Sequence, residues 1–114
     1  KLDADWVLLS ACNTGAGASS EAEALTGLGR AFFYAGTRAL LVTNWAVDTE
    51  SARELVTSLF RRQSADAALG RAEALRRTMM EMVDGGALER GGKPVVSYAH
   101  PLYWAPYAVI GEGQ

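Results

Sequence analysis

Cysteine and histidine are each used once in this sequence of 114 residues, as Cys12 and His100. A lone thiol cannot close an internal disulfide, so no disulfide framework holds the fold, and a reducing, cytoplasmic setting is the expectation. Long apolar runs are lacking. No stretch approaches the ~20 residues that a membrane helix requires, and no secretory leader is recognisable. Charge of one sign is nowhere concentrated: 11 basic residues against 13 acidic ones give a net charge of −2. Apart from the pairs Arg61-Arg62 and Arg76-Arg77 the basic residues are scattered, which excludes the basic surface of a nucleic-acid-binding protein. No lysine follows the small-residue loop at 15–20, which excludes a phosphate-binding P-loop. Neither a metal nor a cofactor is expected. What is present is the composition of a folded domain: 49% apolar residues, with three Trp, four Tyr and three Phe. That length allows one domain with a real core.

The pattern then places the elements. Trp6 to Ala11 is apolar in five of six positions without alternation, as in a strand covered on both faces. It runs out into Asn13, Thr14 and Gly15, residues that favour turns. A helix is predicted from about Glu21 to Ala35, capped by Ser19 or Ser20, with Ala22, Leu25, Leu28, Phe32 and Ala35 on one face. Gly27 and Gly29 weaken that helix and make sense where another element packs close; Gly36 is a natural stop. Ala39 to Asn44 reads as a second buried strand, so that strand, helix and strand form a right-handed βαβ unit with parallel strands. Asp48 or Thr49 caps a second helix whose stripe is Ala52, Leu55, Val56, Leu59 and Phe60. A third helix is predicted from about Ala67 to Val83 after a break and fresh cap at Ser64-Ala65-Asp66, with Ala68, Ala72, Leu75, Met79 and Met82 inward. Glu73 stands at helical spacing from Arg76 and Arg77, and Gly85-Gly86 ends the helix. Gly91-Gly92-Lys93-Pro94 reads as an exposed loop. The aromatic tail ends in a short strand at about Tyr107 to Ile110, started by Pro106.

The chemistry-bearing residues follow from this order. Cys12 sits where the first strand ends, and in an open α/β sheet the carboxyl ends of the strands are where chemistry collects. Nearby loop amides and a helix N-terminus favour thiolate there, although most single cysteines are small buried hydrophobes. A nucleophilic thiol also needs a base. His100, between Ala99 and Pro101, is in a setting where packing or hydrogen bonding is the commoner role. Gly15 to Ser20 half-resembles a dinucleotide-binding turn, but Ser20 replaces the third glycine and Asn44 stands where an acidic residue is needed. Asp48 is first a helix cap; with Trp45 it is also a candidate wall of a substrate pocket beside the first strand's end. Asn13 is a candidate for the rim.

Four blocks together resemble one family. They are Leu9-Ser10-Ala11-Cys12-Asn13-Thr14-Gly15, then Glu21 to Leu25 leading to Phe32-Phe33-Tyr34-Ala35-Gly36, then Asn44-Trp45-Ala46-Val47-Asp48, and His100 to Tyr107 with Ile110-Gly111. In this order they resemble the CHAT domain, a caspase-like domain often found after tetratricopeptide repeats in bacterial proteins. The resemblance implies an α/β caspase-hemoglobinase-like three-layer α/β/α sandwich, here an incomplete half with mainly parallel strands. It also implies a cysteine endopeptidase acting through a His–Cys dyad, with Cys12 at the nucleophile's position and its amide in the oxyanion hole. In the family the dyad histidine lies upstream of the cysteine, and His100 matches a different, non-catalytic block. Residues 1–114 are therefore expected to be the C-terminal part of a single CHAT domain, inactive alone. Its expected partners are a protein or peptide substrate, the upstream half of the domain, tetratricopeptide repeats and, through uncovered surface, a second copy. No nucleic acid or membrane partner is expected.

Two other readings remain open on the sequence. One is a catalytically inactive caspase-like interaction or signalling module, which the absence of an upstream His-Gly in the parent sequence would favour. The other is a dinucleotide-binding domain, which requires saturable binding to the Gly15–Ser20 loop.

Overall fold

The computed structural model describes residues 1–9 and 20–114. Along the chain it has β1 (Val7–Leu9), α1 (Ser20–Ala35), β2 (Ala39–Thr43), α2 (Thr49–Ala65), α3 (Arg71–Gly85), β3 (Ala87–Arg90), β4 (Lys93–Ser97) and β5 (Tyr107–Gly111). They form two compact units, Lys1–Ala46 with Tyr107–Gly113, and Val47–Pro106 with Gln114. The fold is α/β, as its sequence pattern implies.

In the first unit β2 is the central strand of a sheet ordered β1-β2-β5. Its continuous apolar run is buried at every position, from Ala39 and Leu41 at 0% exposure to Val42 at 4%, as expected of a strand with neighbours on both edges and cover on both faces. β1 lies parallel to it, with Val7 beside Leu40 and Leu9 beside Val42. This is the parallel pairing expected of strand, helix, strand. β5 returns antiparallel, with Tyr107 beside Thr43 and Gly111 beside Ala39, so the described sheet has one ladder of each kind.

Helix α1 shows which of its two glycines is needed for packing. A Cβ on Gly29 would touch the Leu40 side chain at 3.4 Å, whereas one on Gly27 would meet nothing. The helix therefore lies over β2 at Gly29, and Leu28, expected inward, is 43% exposed. Gly36 does end the helix, at φ +104°, and a Cβ there would collide with the carbonyl oxygen of Leu2. The lead-in segment runs alongside this point. Leu2 N–H donates to Ala35 O, Arg38 N–H donates to Ala4 O at 3.0 Å, and the Arg38 guanidinium donates to Asp3 and Asp5 at 3.1 and 2.8 Å.

In the second unit α2 and α3 pack side by side, antiparallel, since Ser58 and Arg62 both reach Glu81. Their buried faces are rotated from those predicted. On α2 the buried set is Ser51, Leu55, Ser58 and Leu59, with Phe60 37% exposed. On α3 it is Ala74, Leu75, Thr78 and Met82. Polar groups could move inward because each has a partner: Ser51 Oγ donates to Asp48 O at 3.0 Å, Ser58 Oγ to Glu81 at 2.6 Å, and Thr78 Oγ1 to Ala74 O at 2.9 Å. α3 also begins four residues later than predicted. Asp66 N–H closes α2 on Arg62 O, and the Asp66 carboxylate turns to accept from Ala68 N–H at 3.0 Å, so it shapes a turn rather than capping a helix. Gly70 is the N-cap instead.

The expected loop at Gly91 to Pro94 is the turn of a hairpin. Gly91 and Gly92 have φ of +60° and +74°, the two positive values that a two-residue type I′ connection requires. β3 and β4 pair antiparallel around it with a bulge after Leu88, opposite Val95.

Candidate active site

The residues nominated by the sequence fall in three places. Cys12 and Asn13 lie outside the described residues, as does Ser19. What the structure gives is the frame that leads to them. β1 is described as far as Leu9, which stands beside Val42 of β2 in the parallel ladder. Both strands point their carboxyl ends the same way, the end at which α/β proteins gather functional groups.

Trp45 follows β2 in the first unit and is 37% exposed, an unusual position for so large an apolar ring. Asp48 belongs to the second unit. Its backbone is extended at φ −66° and ψ 137°, and its carboxylate accepts from Ser51 N–H at 2.9 Å. Its carbonyl accepts from Ala52 N–H at 2.9 Å. The cap role read from the sequence is therefore the one its side chain performs.

His100 is exposed, and its Nδ1 accepts from Leu102 N–H at 3.1 Å. An imidazole that accepts at Nδ1 carries its proton on Nε2. The ring closes its own turn, the hydrogen-bonding role that its neighbours suggest. Trp104 Nε1 donates back to Ala99 O at 3.1 Å. The aromatic tail thus forms a tied turn, centred on Tyr98, which is 2% exposed and meets Tyr103 at 5.2 Å between ring centroids and 57° between planes. Burial raises the Tyr98 pKa above its ordinary value, and the carboxylates of Asp48, Glu50 and Glu54 push the same way.

The sequence reading missed the polar junction of α2 and α3. Glu81 Oε2 accepts from Ser58 Oγ and from Arg62 Nη2, both at 2.6 Å, and these two bonds, Ser58's first, hold its carboxyl below the ordinary value. The junction lines a cavity of about 580 Å³ in the second unit. A signal existed in hindsight: Ser51 and Ser58 sit seven residues apart on α2, on the face of Leu55 and Leu59. Among the described residues no group of His, Cys, Asp and Glu is placed to hold a metal ion, and no helix is long and apolar enough to cross a membrane.

The sequence matches the family model of the CHAT domain over residues 1–112. No match was found among curated proteins or among solved structures. The match spans both units and all four sequence blocks, so the chain belongs to the CHAT domain family, which is related to the caspase-like peptidases.

Proposed function

We propose that this chain is the nucleophile-bearing part of a CHAT-type cysteine endopeptidase. The observation that carries the reading is the parallel β1–β2 ladder. Leu9 stands beside Val42, and Cys12 and Trp45 are each three residues further along their own segments. That count favours a shared rim for the thiol and an exposed indole suited to a peptide substrate. Cys12 thiolate attacks the peptide carbonyl carbon, and the carbonyl becomes an oxyanion that backbone amides, that of Cys12 among them, stabilise. Collapse of the oxyanion breaks the C–N bond. The departing amine takes its proton from the histidine that first received the thiol's proton, and water then hydrolyses the thioester. Asn13, next to Cys12 in the sequence, is read as part of the same rim.

The base is the part that the 114 residues do not supply. His100 is engaged through Nδ1 with its own turn, and no other histidine is present. We assign the base to a histidine of an upstream segment of the same domain. That segment is also the natural neighbour of β1, whose only ladder partner among the described residues is β2; in its absence a second copy would cover that edge. Tetratricopeptide repeats, a protein substrate and a cytoplasmic, reducing setting belong to the same proposal.

The test is the rate of Cys12 alkylation by iodoacetamide from about pH 5 to about pH 9, a window that brackets the ordinary thiol pKa of about 8.5. It is run on this chain and on one extended upstream by about a hundred residues, a domain-sized addition. Activation well below the ordinary pKa in the longer chain alone supports the peptidase. No activation in either turns the reading to the interaction module, which the engagement of the sole histidine favours. Activation in the short chain alone would return His100 to the dyad.

A further inference from the structure

The cavity of the second unit has a lining of one chemical kind. Its polar side chains are Glu54 and Ser58 from α2, Thr78, Glu81 and Asp84 from α3, and Glu89 from β3. Both hydroxyl protons are already committed, Ser58's to Glu81 at 2.6 Å and Thr78's to Ala74 O at 2.9 Å. The Gly86 amide at the edge is taken as well, by the carbonyls of Glu81 and Met82 at 3.2 Å. A carboxylate offers only acceptors, and a hydroxyl that has given its proton offers only lone pairs. The lining side chains therefore present acceptors and no free donor.

Charge compensation is confined to Glu81, on which Arg62 and, through space, Arg61 act. Arg62 serves Glu81, but Glu54, Asp84 and Glu89 have no ion-pair or hydrogen-bond partner among the described residues. The contrast with Glu73, which serves both Arg76 and Arg77 at the other end of α3, is plain. The backbone adds to the imbalance. The last turn of a helix carries partial negative charge and favours cations, yet that of α3 holds Asp84 and no basic residue. A positive charge would complement these carboxylates and the carbonyl end of α3.

We propose that this cavity receives the guanidinium or ammonium head of a basic side chain from a polypeptide segment. Such a head is donor-rich and lacks acceptors, the complement of the lining. A volume of about 580 Å³ lies in the range of sites for organic groups, and the described residues form no metal-ligand set. The acidic lip then draws the rest of a basic segment by charge. This site lies within the second unit and stands whether or not Cys12 is catalytic.

The experiment is a binding titration of the full chain with a fluorescent Gly-Arg-Arg-Gly peptide and its citrulline isostere, which keeps the shape and loses the charge. The arginine peptide should bind saturably and the citrulline peptide at least roughly tenfold more weakly. The triple substitution Glu54→Gln, Asp84→Asn, Glu89→Gln should abolish the difference, while Asp66→Asn, outside the cavity, should leave it. Thermal unfolding of the triple variant confirms that it is folded. If it does not fold, Asp84→Asn alone serves, with an expected loss of a few-fold. Agmatine should compete with the peptide. Equal binding of both peptides, full binding by the variant, or binding of agmatine with none of the peptide would each overturn the proposal.

Discussion

Asp48 carries two readings, and one pair of substitutions separates them. The carboxylate at the α2 N-cap accepts from Ser51 N–H at 2.9 Å, so Asp48→Ala removes that acceptor and leaves an amide of the first turn dependent on water. Losses of this kind average about 1 kcal/mol. For a domain near this size that corresponds to a fall of about 4 °C in Tm. Asp48→Asn keeps an oxygen in place and loses only the charge's interaction with the helix dipole, about 0.5 kcal/mol at a surface site. The order of stability should therefore be wild type, Asn, then Ala, read by circular dichroism at fixed pH and salt. If the wall role also holds, Asp48→Asn should lower kcat/KM for peptide hydrolysis by the extended, active domain more than its small stability loss explains. Equal destabilisation by Ala and Asn would refute the cap as the source of the effect. Unchanged stability in both would mean that Ser51 N–H finds water at no cost.

Other consequences are as specific. Gly111→Ala should cost at least about 2 kcal/mol, because its φ is +102° and a Cβ would sit 2.6 Å from Arg38 O and 2.9 Å from the Phe33 ring; urea unfolding reads the loss. Ser58→Ala and Glu81→Gln should be non-additive in a double-mutant cycle, with a coupling under about 1 kcal/mol because Glu81 is half exposed. Since Glu81's folded pKa lies below its ordinary 4.5, its stabilisation is present above that pH and lost as pH falls through the folded value, and Glu81→Gln should flatten that acid limb. Tyr98 titrates above its ordinary 10.0 when folded, so its contribution is intact below pH 10.0 and lost as pH rises toward the folded value. Tyr98→Phe should remove that part of the alkaline unfolding; an unchanged alkaline limb would place Tyr98 in water.

The legible parts of this fold were those where one physical signal dominates. β2 is an uninterrupted apolar run between a glycine-ended helix and a turn, and no other element fits it. Asp48 precedes a helix at the one position where a carboxylate has an amide to accept from. The phase of α2 and α3 was not legible, because hydrophobic periodicity cannot foresee that Ser58 and Thr78 turn inward once a partner takes their protons. The hairpin was missed for a related reason. Its strands lack an apolar period, and only the Gly91-Gly92 pair announced them. At the site, the roles of Asp48 as cap and His100 as a hydrogen-bonding turn residue could be read from their neighbours. The acceptor-lined cavity could not, because it is assembled from residues that alone look like an ordinary solvated helix face.

The central strand has a consequence for how the protein is made. β2 receives its parallel neighbour from the preceding segment but its antiparallel neighbour from β5, which follows only after the whole of α2, α3 and the β3–β4 hairpin. At a synthesis rate of about 5–20 residues per second, several seconds separate the emergence of Thr43 from that of Tyr107. Throughout that interval the nascent sheet has an open ladder along its most apolar strand, while everything needed for the second unit except its final residue comes out of the ribosome. β5 thus acts as the closing clasp of a ladder that β2 opens. A ribosome that stalls before Tyr107 would release a polypeptide with a sticky β2 edge, a ready substrate for chaperones and for aggregation.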